Sequence, residues 1–475
     1  MADWSATALT AAQLSDGNMQ FWAVDSFGQI WSTWQITTDT TYQDWRYWQM
    51  PWTPAVPAFR AAQIAVAPLP DQRLQFWTVD TEGYIWSCWK TGTAGNAPWT
   101  DFTKSWTRNP VTFTAKQVAV GPLSDHTLQC FALDTAGVIH SCWQTYQSGT
   151  LDWNDWTTNW SNTQPPQPFT WIAVAPWPDG TLQLWAVDTG GNIWSCWKSG
   201  ADPSAQWTAW TQDWSAGTPP FSAKQVAAAP LYDGGLQFWA IDNNGRLWSC
   251  WQETTDPNSA WTAWTQNWLA DLLSSATVCR ALWPARMSDG RTALWIIDGT
   301  AEVHWTIKLT PDPSAQWQNW SLMLPMERQE HTNWCWAGCS NATSHFYEVA
   351  SDWSQCKIAI KEIPSPNCCA DPEPCNVYGY LNIALEIVDH FASWGENREP
   401  DSTITNEVWS GRPFGVRIAW KGDDGAHFIM VSGGGVNDMV TVKDPWFGPS
   451  YIPYDTLVSG YQHPGSSWTH SYFTE

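Results

Sequence analysis

The segment LQLWAVDTGGNIWSCW, residues 182–197, recurs five more times along the chain. The other copies are MQFWAVDSFGQIWSTW (19–34), LQFWTVDTEGYIWSCW (74–89), LQCFALDTAGVIHSCW (128–143), LQFWAIDNNGRLWSCW (236–251) and the more divergent TALWIIDGTAEVHWTI (292–307). The aspartate of each copy follows the previous one after 54 to 56 residues. A fixed period of this length is typical of repeat architectures.

Within one repeat the pattern predicts four short strands. A run such as AKQVAVGP (115–122) precedes the copy, and Asp-x-x-Gly divides the copy into two apolar runs. Asp accepts hydrogen bonds from nearby backbone N–H groups and Gly permits positive φ, so this spacing predicts a tight hairpin. Residues 207–214, WTAWTQDW, represent the fourth strand. IWSCW is apolar or small on both faces, which suits a sheet that is covered on both sides.

Six units of four strands predict a six-bladed β-propeller over residues 1–321. The last unit contains Trp317 and Trp320 but lacks a third tryptophan in its fourth strand. Residues 3–6, DWSA, match residues 213–216 of an earlier repeat. We therefore expect the first residues of the chain to complete the last blade, because closing the ring removes an exposed sheet edge.

The charge of the chain limits its partners. Its 475 residues include 22 Lys+Arg against 45 Asp+Glu, which gives a formal net charge of −23. Phosphate groups and anionic lipids require a basic face, so we expect neither nucleic acid nor an anionic membrane surface as a partner. No apolar run approaches the roughly 18 residues of a spanning helix, so no membrane insertion is expected. The oligomeric state is not predicted.

Most of the twelve cysteines fall into two groups. One group shares a single repeat position and is too widely spaced for disulfides, so we expect free, buried side chains: Cys88, Cys142, Cys196 and Cys250. The second group lies between residues 335 and 375: Cys335, Cys339, Cys356, Cys368, Cys369 and Cys375. One or two disulfides are expected there, with one thiol left over if Cys335 is free and with the connectivity open. A zinc site at 368–375 is disfavoured because adjacent cysteines lack the CxxC spacing.

The C-terminal stretch PMERQEHTNWCWAGCSNATSHFY (325–347) contains a candidate nucleophile, Cys335. Helical spacing of Cys335, Cys339 and Ala342 predicts a helix that begins at Cys335. A helix N-terminus favours the thiolate form of a cysteine. Gln329, six residues earlier, would place an amide donor beside Cys335, and this donor together with the backbone N–H of Cys335 would stabilise an oxyanion.

A base and its orienting residue are predicted further along the chain. His427 lies at the start of a predicted strand in GDDGAHFIMVSGGG (422–435). A second predicted strand, within TVKDPWFG (441–448), ends at Asp444. An antiparallel return would bring Asp444 beside His427, where a carboxylate holds the imidazole in position and stabilises its charge.

These C-terminal motifs resemble those of the papain-like cysteine peptidases, specifically a compact bacterial branch that includes secreted effectors. The resemblance covers residues 325–473 and rests on these segments: Gln329, 334–337, 411–420, 425–428, 444–448 and 459–473. It implies that Cys335 is the nucleophile and His427 the general base and acid. It also implies that Asp444 orients His427 and that Gln329 is the oxyanion donor.

The repeat resembles that of β-propeller lectins of the tachylectin and tectonin kind, including bacterial fucose-binding relatives. This resemblance implies shallow sugar pockets between blades, although no individual sugar-contacting residue is predicted. The predicted fold is multidomain: an all-β six-bladed propeller over 1–321 is followed by an α+β papain-like domain over 322–475. Almost no linker separates the two parts, so we expect a fixed arrangement.

The leading functional hypothesis is a cysteine endopeptidase that acts on a protein or peptide substrate without a metal or organic cofactor. A glycan bound by the propeller is the second candidate partner and would target the enzyme. Two alternatives stay open: a protein glutamine deamidase or transglutaminase with the same triad, and a glycan-binding adhesin or toxin module with an accessory peptidase. The resemblance to secreted effectors suggests export without a visible signal peptide, and a cytoplasmic location stays open.

Overall fold

The computed structural model describes the whole chain except residues 1–4, 40–41, 148–149, 162–167, 255–258, 267–277, 319, 364–366, 423–424 and 437. The N-terminal part consists of six antiparallel sheets whose first strands are neighbours in a ring. The C-terminal part combines helices with an antiparallel sheet. The predicted six-bladed propeller is therefore confirmed, whereas the papain-like identity of the C-terminal domain stays a prediction.

Each blade begins with three consecutive antiparallel strands, the first of which lines a central channel of about 500 Å³. The first strands are β1 (Ala6–Gln13), β5 (Ala61–Pro68), β8 (Ala115–Pro122), β12 (Phe169–Pro176), β15 (Ala223–Pro230) and β18 (Cys279–Arg286). The second strands are β2 (Met19–Asp25), β6 (Leu74–Asp80), β9 (Leu128–Asp134), β13 (Leu182–Asp188), β16 (Leu236–Asp242) and β19 (Thr292–Asp298). The third strands are β3 (Ile30–Asp39), β7 (Ile85–Trp89), β10 (Ile139–Gln147), β14 (Ile193–Trp197), β17 (Leu247–Trp251) and β20 (Val303–Ile307).

The predicted Asp-Gly hairpin joins the second and third strands. In the fourth blade, Asp188 Oδ1 accepts hydrogen bonds from the backbone N–H groups of Gly190 (2.8 Å) and Asn192 (2.9 Å). Asp188 Oδ2 accepts a bond from Trp194 Nε1 at 2.9 Å, and Gly191 has a φ of 81°. The equivalent aspartates of the other blades are Asp25, Asp80, Asp134, Asp242 and Asp298. One carboxylate thus closes each turn and holds the first ring of the third strand.

The fourth stretch of the repeat forms a regular strand less often than predicted. It forms β4 (Tyr42–Trp45) and β11 (Thr150–Trp153), but the second, fourth and fifth blades have isolated bridges in its described part. In the second blade, Ser87 and Thr103 exchange two backbone hydrogen bonds of 2.9 Å. Tryptophan at every third or fourth position does not follow the two-residue period of a strand. The rings instead pack edge-to-face between blades, as Trp106 and Trp153 do at 5.2 Å.

Large rings fill the space between blades. The tryptophans in the middle of the second strands are fully buried: Trp22, Trp77, Trp185, Trp239 and Trp295. Burying a ring of this size contributes about 4–6 kcal/mol, at about 25 cal/mol per Å² over about 150–250 Å². The repeat therefore places its largest hydrophobic contribution at the position that joins one blade to the next.

The ring closes where the first blade packs against the sixth. Phe21 lies 5.3 Å from Trp295 between ring centroids, and Ala6 N–H donates to Ala301 O at 3.2 Å. The predicted role of residues 3–4 in completing the last blade lies outside the described residues. A two-residue strand, β21 (Ser321–Leu322), pairs with the outer side of β20 in that blade.

The C-terminal domain places three helices against one face of its sheet, with α1 in contact with β24. Its helices are α1 (Cys335–Tyr347), α2 (Gln355–Glu362), α3 (Leu381–Ile387), α4 (Asp401–Trp409) and α5 (Tyr454–Val458). Its strands are β22 (Ser393–Gly395), β23 (Phe414–Ala419), β24 (Ala426–Val436), β25 (Met439–Lys443), β26 (Ser450–Pro453) and β27 (Ser467–Phe473). Their order across the sheet is β22-β27-β23-β24-β25-β26, and each pair is antiparallel.

One strand belongs to both parts of the molecule. β21 pairs with β20 of the propeller on one side and with β24 of the C-terminal domain on the other, at Ser321 and Gly433. A Cβ atom at Gly433 would lie 2.4 Å from Ser321 Oγ, so the close approach requires glycine there. Ser321 Oγ also donates to Thr441 Oγ1 at 2.9 Å. The boundary predicted between residues 321 and 322 therefore falls inside a shared strand.

The cysteines of the C-terminal domain form two disulfides, Cys356–Cys369 and Cys368–Cys375. Cys339 is free and buried, and it is the thiol left over when Cys335 is unpaired. The four cysteines of the repeat position are free and buried, as predicted. Among the described residues, none of the helices has the length and apolar character needed to span a membrane.

Candidate functional site

Cys335 begins α1 and is a free thiol that is 6% exposed. The tryptophans on either side hold this end of the helix against the loop after the second disulfide. Trp334 Nε1 donates to Cys375 O at 2.8 Å, and Trp336 Nε1 donates to Val377 O at 3.3 Å. The N-terminal end of a helix carries a partial positive charge, so an anion at Cys335 is stabilised there.

His427 and Asp444 are brought together by two adjacent strands. His427 is the second residue of β24, Asp444 directly follows β25, and these strands pair antiparallel. His427 Nε2 lies 2.8 Å from Asp444 Oδ1. Asp444 is fully buried, and its Oδ1 also accepts the backbone N–H groups of Trp446 (2.7 Å) and Phe447 (2.9 Å). The turn after β25 thus fixes the carboxylate.

The opposite side of the imidazole faces Cys335. Burial alone would lower the pKa of His427, but the charge of Asp444, the hydrogen bond to it, and the hydrogen bond with Cys335 raise this pKa to about 10. Nε2 is engaged by Asp444, so Nδ1 is the nitrogen available to the thiol. His427 therefore interacts with both Asp444 and Cys335, and these interactions favour the charged form of the imidazole.

Tyr461 is a member of this network that the sequence reasoning missed. Its hydroxyl donates to Asp444 Oδ2 at 2.8 Å, and the side chain is 2% exposed. Burial and the charge of Asp444 raise the pKa of Tyr461 well above its ordinary value, so the hydroxyl stays protonated and remains a donor. Tyr461 lies within the 459–473 motif, but no spacing in the sequence links it to Asp444.

Gln329 is not placed as predicted. Its Nε2 donates to the backbone oxygens of His331 (2.7 Å) and Thr332 (2.9 Å), which occupies both amide hydrogens. Its Oε1 is buried without a hydrogen-bond partner among the described residues. The loop before α1 turns the carbonyl groups of His331 and Thr332 toward Gln329, so the amide donates to them and not to a group at Cys335. The side chain nevertheless lies beside the first turn of α1, since Gln329 Cβ is 3.7 Å from the Cβ position of Gly338.

Aromatic side chains cover the imidazole. Trp420 stacks on His427 with centroids 5.9 Å apart and planes 16° apart, and Phe447 approaches edge-on at 5.9 Å. Phe447 and Trp446 keep about a third of their surface exposed, at 37% and 36%. These rings exclude water from the histidine and leave an apolar rim at the site. Among the described residues, no cluster of His, Cys, Asp and Glu side chains is arranged to hold a metal ion.

The propeller contains a pocket of about 520 Å³ between its first and second blades. Three tryptophans line it, Trp34, Trp52 and Trp99, together with polar residues that include Asp16 and Arg46. Convergent rings and a few polar groups are the usual composition of a small-molecule site. The repeat predicts pockets between blades, but the shape of this one depends on how two blades meet.

Comparison with known proteins gave matches only among solved structures. No protein-family model matches the chain, and no curated protein matches it. The BP39L lectin from Burkholderia pseudomallei is 16% identical with a TM-score of 0.47; the alignment covers 66% of this chain and 82% of that chain. A fucose-specific lectin from Aleuria aurantia is 10% identical with a TM-score of 0.45, covering 67% and 96% of the two chains. AofleA from Arthrobotrys oligospora is 9% identical with a TM-score of 0.43, covering 66% and 85%.

These neighbours cover about two thirds of the chain, and the first two are described as lectins. With TM-scores below 0.5, they carry no argument about what this chain binds. The six blades are established by the sheets of the chain itself. The class of protein defined by the fold is a β-propeller joined through a shared strand to an α+β domain.

Proposed function

We propose that the C-terminal domain is a cysteine endopeptidase. The observation that carries this proposal is the hydrogen bond between His427 and the fully buried Asp444, together with the interaction of His427 with Cys335 at a helix N-terminus. A thiol, an imidazole and an orienting carboxylate in this order form an activated nucleophile with its base. Burial of all three groups makes their interactions stronger than they would be in water.

The reaction follows from these positions. The Cys335 thiolate attacks the carbonyl carbon of a peptide bond, and the resulting oxyanion accepts the backbone N–H of Cys335. The His427 imidazolium protonates the leaving amine as the C–N bond breaks, which leaves a thioester. Water deprotonated by His427 then hydrolyses the thioester and restores the thiol. Gln329 becomes a second oxyanion donor only after its amide leaves the carbonyl groups of His331 and Thr332.

The first experiment compares three full-length proteins on a denatured protein substrate: the wild type, Cys335→Ala and Cys339→Ala. Cys339 is a matched control because it is a buried free thiol one turn further along α1. We expect chain cleavage by the wild type and Cys339→Ala but none by Cys335→Ala. Cleavage that survives in Cys335→Ala would refute the proposal, and ammonia release without chain cleavage would replace it with a glutamine deamidase.

We also propose that the propeller binds a carbohydrate in the pocket between its first two blades. The support for this proposal is the composition of the pocket. Its volume is about 520 Å³, and its lining includes Trp34, Trp52 and Trp99 together with Asp16 and Arg46. An aromatic face packs against sugar C–H groups, and polar side chains orient the hydroxyl groups.

The test is a glycan array probed with Cys335→Ala, alone and combined with Trp34→Ala. Loss of the captured glycans in the Trp34→Ala protein supports the site. An array without signal, or a signal that Trp34→Ala leaves unchanged, removes this pocket as the sugar site.

A further inference from the structure

We propose that the propeller completes the catalytic centre, and that Asp44 of the first blade is a positioning residue for Asp444. The role of Asp44 in turnover rests on the proposed peptidase function, but its effect on the geometry of the site does not. The propeller segment involved is 44–47, which comprises the last two residues of β4 and the two that follow.

The strongest contact is a buried ion pair across the two parts of the molecule. Lys443 Nζ lies 2.6 Å from Asp44 Oδ1, and the two side chains are 2% and 0% exposed. Lys443 is the last residue of β25 and directly precedes Asp444 in the chain. Breaking a buried ion pair on one side leaves an uncompensated charge, so the pair strongly constrains the backbone at this point.

Two further contacts start from the next residues of the segment. Arg46 Nη1 lies 3.1 Å from Glu327 Oε1, two residues before Gln329. The Tyr47 ring stacks on His345, with centroids 3.8 Å apart and planes 6° apart, and its hydroxyl accepts a hydrogen bond from Asn341 Nδ2. Asn341 and His345 lie on α1, the helix that Cys335 begins.

Three residues of this segment, Asp44, Arg46 and Tyr47, therefore contact the chain segments that carry Asp444, Gln329 and Cys335. The sixth blade reaches β24, the strand that carries His427, through β21, and it also has a contact away from the site. There, His304 stacks on Trp409 at the end of α4, which carries none of the proposed site residues.

The consequence is specific to Asp444. Without the carboxylate of Asp44, the Lys443 ammonium is buried next to Asp444 without its counter-ion. It then either moves β25 toward solvent or competes with His427 for the carboxylate. Either movement weakens the 2.8 Å bond that holds the imidazole, so His427 activates Cys335 less effectively.

The experiment measures alkylation of Cys335 by iodoacetamide in the full chain from pH 4 to 9, read by mass spectrometry of the Cys335 peptide. This readout needs no substrate. For Asp44→Asn we expect the acid limb of the profile to move up by about one pH unit, which is about tenfold slower alkylation there. Any kcat for cleavage should fall while KM stays unchanged, because the substrate does not contact Asp44. Asp44→Asn/Lys443→Met should recover most of the rate, since it removes the unpaired charge.

Trp409→Leu is the matched control, because it weakens contact with the sixth blade and should leave the alkylation profile unchanged. Tyr47→Phe replaces Asp44→Asn as the test variant if Asp44→Asn does not fold. It keeps the stacking on His345 and removes the hydroxyl, and we expect a smaller shift of the alkylation profile in the same direction. An unchanged profile in a folded Asp44→Asn protein, or equal shifts in Asp44→Asn and Trp409→Leu, overturns the inference. A shifted profile in a protein whose wild type cleaves nothing supports the positioning role and refutes only the peptidase.

Discussion

Replacing Tyr461 with phenylalanine tests how far the buried carboxylate depends on its donors. Asp444 Oδ1 has three donors, whereas the hydroxyl of Tyr461 is the donor to Oδ2, at 2.8 Å. Tyr461→Phe keeps the ring and leaves one oxygen of a fully buried carboxylate without this bond. A hydrogen bond to a charged group contributes about 1.5–3 kcal/mol.

We therefore expect Tyr461→Phe to lower the free energy of unfolding by about 2 kcal/mol, which is a Tm decrease of about 4–8 °C for a domain of this size. Differential scanning calorimetry at pH 7 measures this change. The control is Tyr454→Phe, which removes a hydroxyl that donates to a neutral backbone oxygen, Glu399 O, at 2.6 Å. A neutral hydrogen bond contributes only about 0.5–1.5 kcal/mol, so Tyr454→Phe should lower the Tm by less than Tyr461→Phe does.

The outcome that refutes the reasoning is equal Tm loss in the two variants. Equal loss would mean that the charge of Asp444 is carried by its other three donors and that Tyr461 only packs. A loss specific to Tyr461→Phe should be accompanied by slower alkylation of Cys335, because the Asp444 carboxylate that holds His427 through Oδ1 loses the bond that fixes Oδ2.

Three other predictions follow from contacts described above. The pKa of His427 is raised to about 10, so its protonated imidazole stabilises the fold fully below about pH 6.5 and this contribution is lost as pH rises through about 10. Urea unfolding of the wild type and of His427→Asn should show this alkaline loss of stability only in the wild type. Removing the Cys368–Cys375 disulfide with Cys375→Ser should lower the free energy of unfolding by about 2–4 kcal/mol. It should also slow alkylation of Cys335, because the backbone oxygen of Cys375 accepts a hydrogen bond from Trp334, and an unchanged alkylation rate would contradict this. Asp188→Ala removes a carboxylate that accepts five hydrogen bonds, from Gly190, Asn192 and Trp194, and should cost about 2–4 kcal/mol by chemical denaturation without affecting alkylation.

The sequence predicted those features that depend on neighbours within about twenty residues. The Asp-Gly hairpins repeat in every blade because the carboxylate bonds only to its own turn. His427 and Asp444 could be paired because one antiparallel return joins their strands. The isolated bridges in the fourth stretch were not predicted, because rings from adjacent blades decide how that stretch lies.

Other details depend on residues that no local pattern connects. The amide of Gln329 follows the carbonyl groups of His331 and Thr332, whose positions are defined only once the turn before α1 has formed. Asp44 and Lys443 are 399 positions apart, and nothing in either repeat or motif marks them as partners. Both cases are decided by where polar groups are buried after folding, and a hydrophobic pattern does not contain that information.

The strand β21 has a practical consequence for anyone who dissects this protein. A fragment that starts at residue 323 would strip β24 of its neighbour and leave the amide and carbonyl groups around Gly433 open to pairing with another molecule. A propeller fragment that stops at residue 320 would expose the outside of β20 in the same way. Either product is a candidate for self-association in the test tube, so chimaeras that exchange one half should carry Ser321 and Leu322 with both halves.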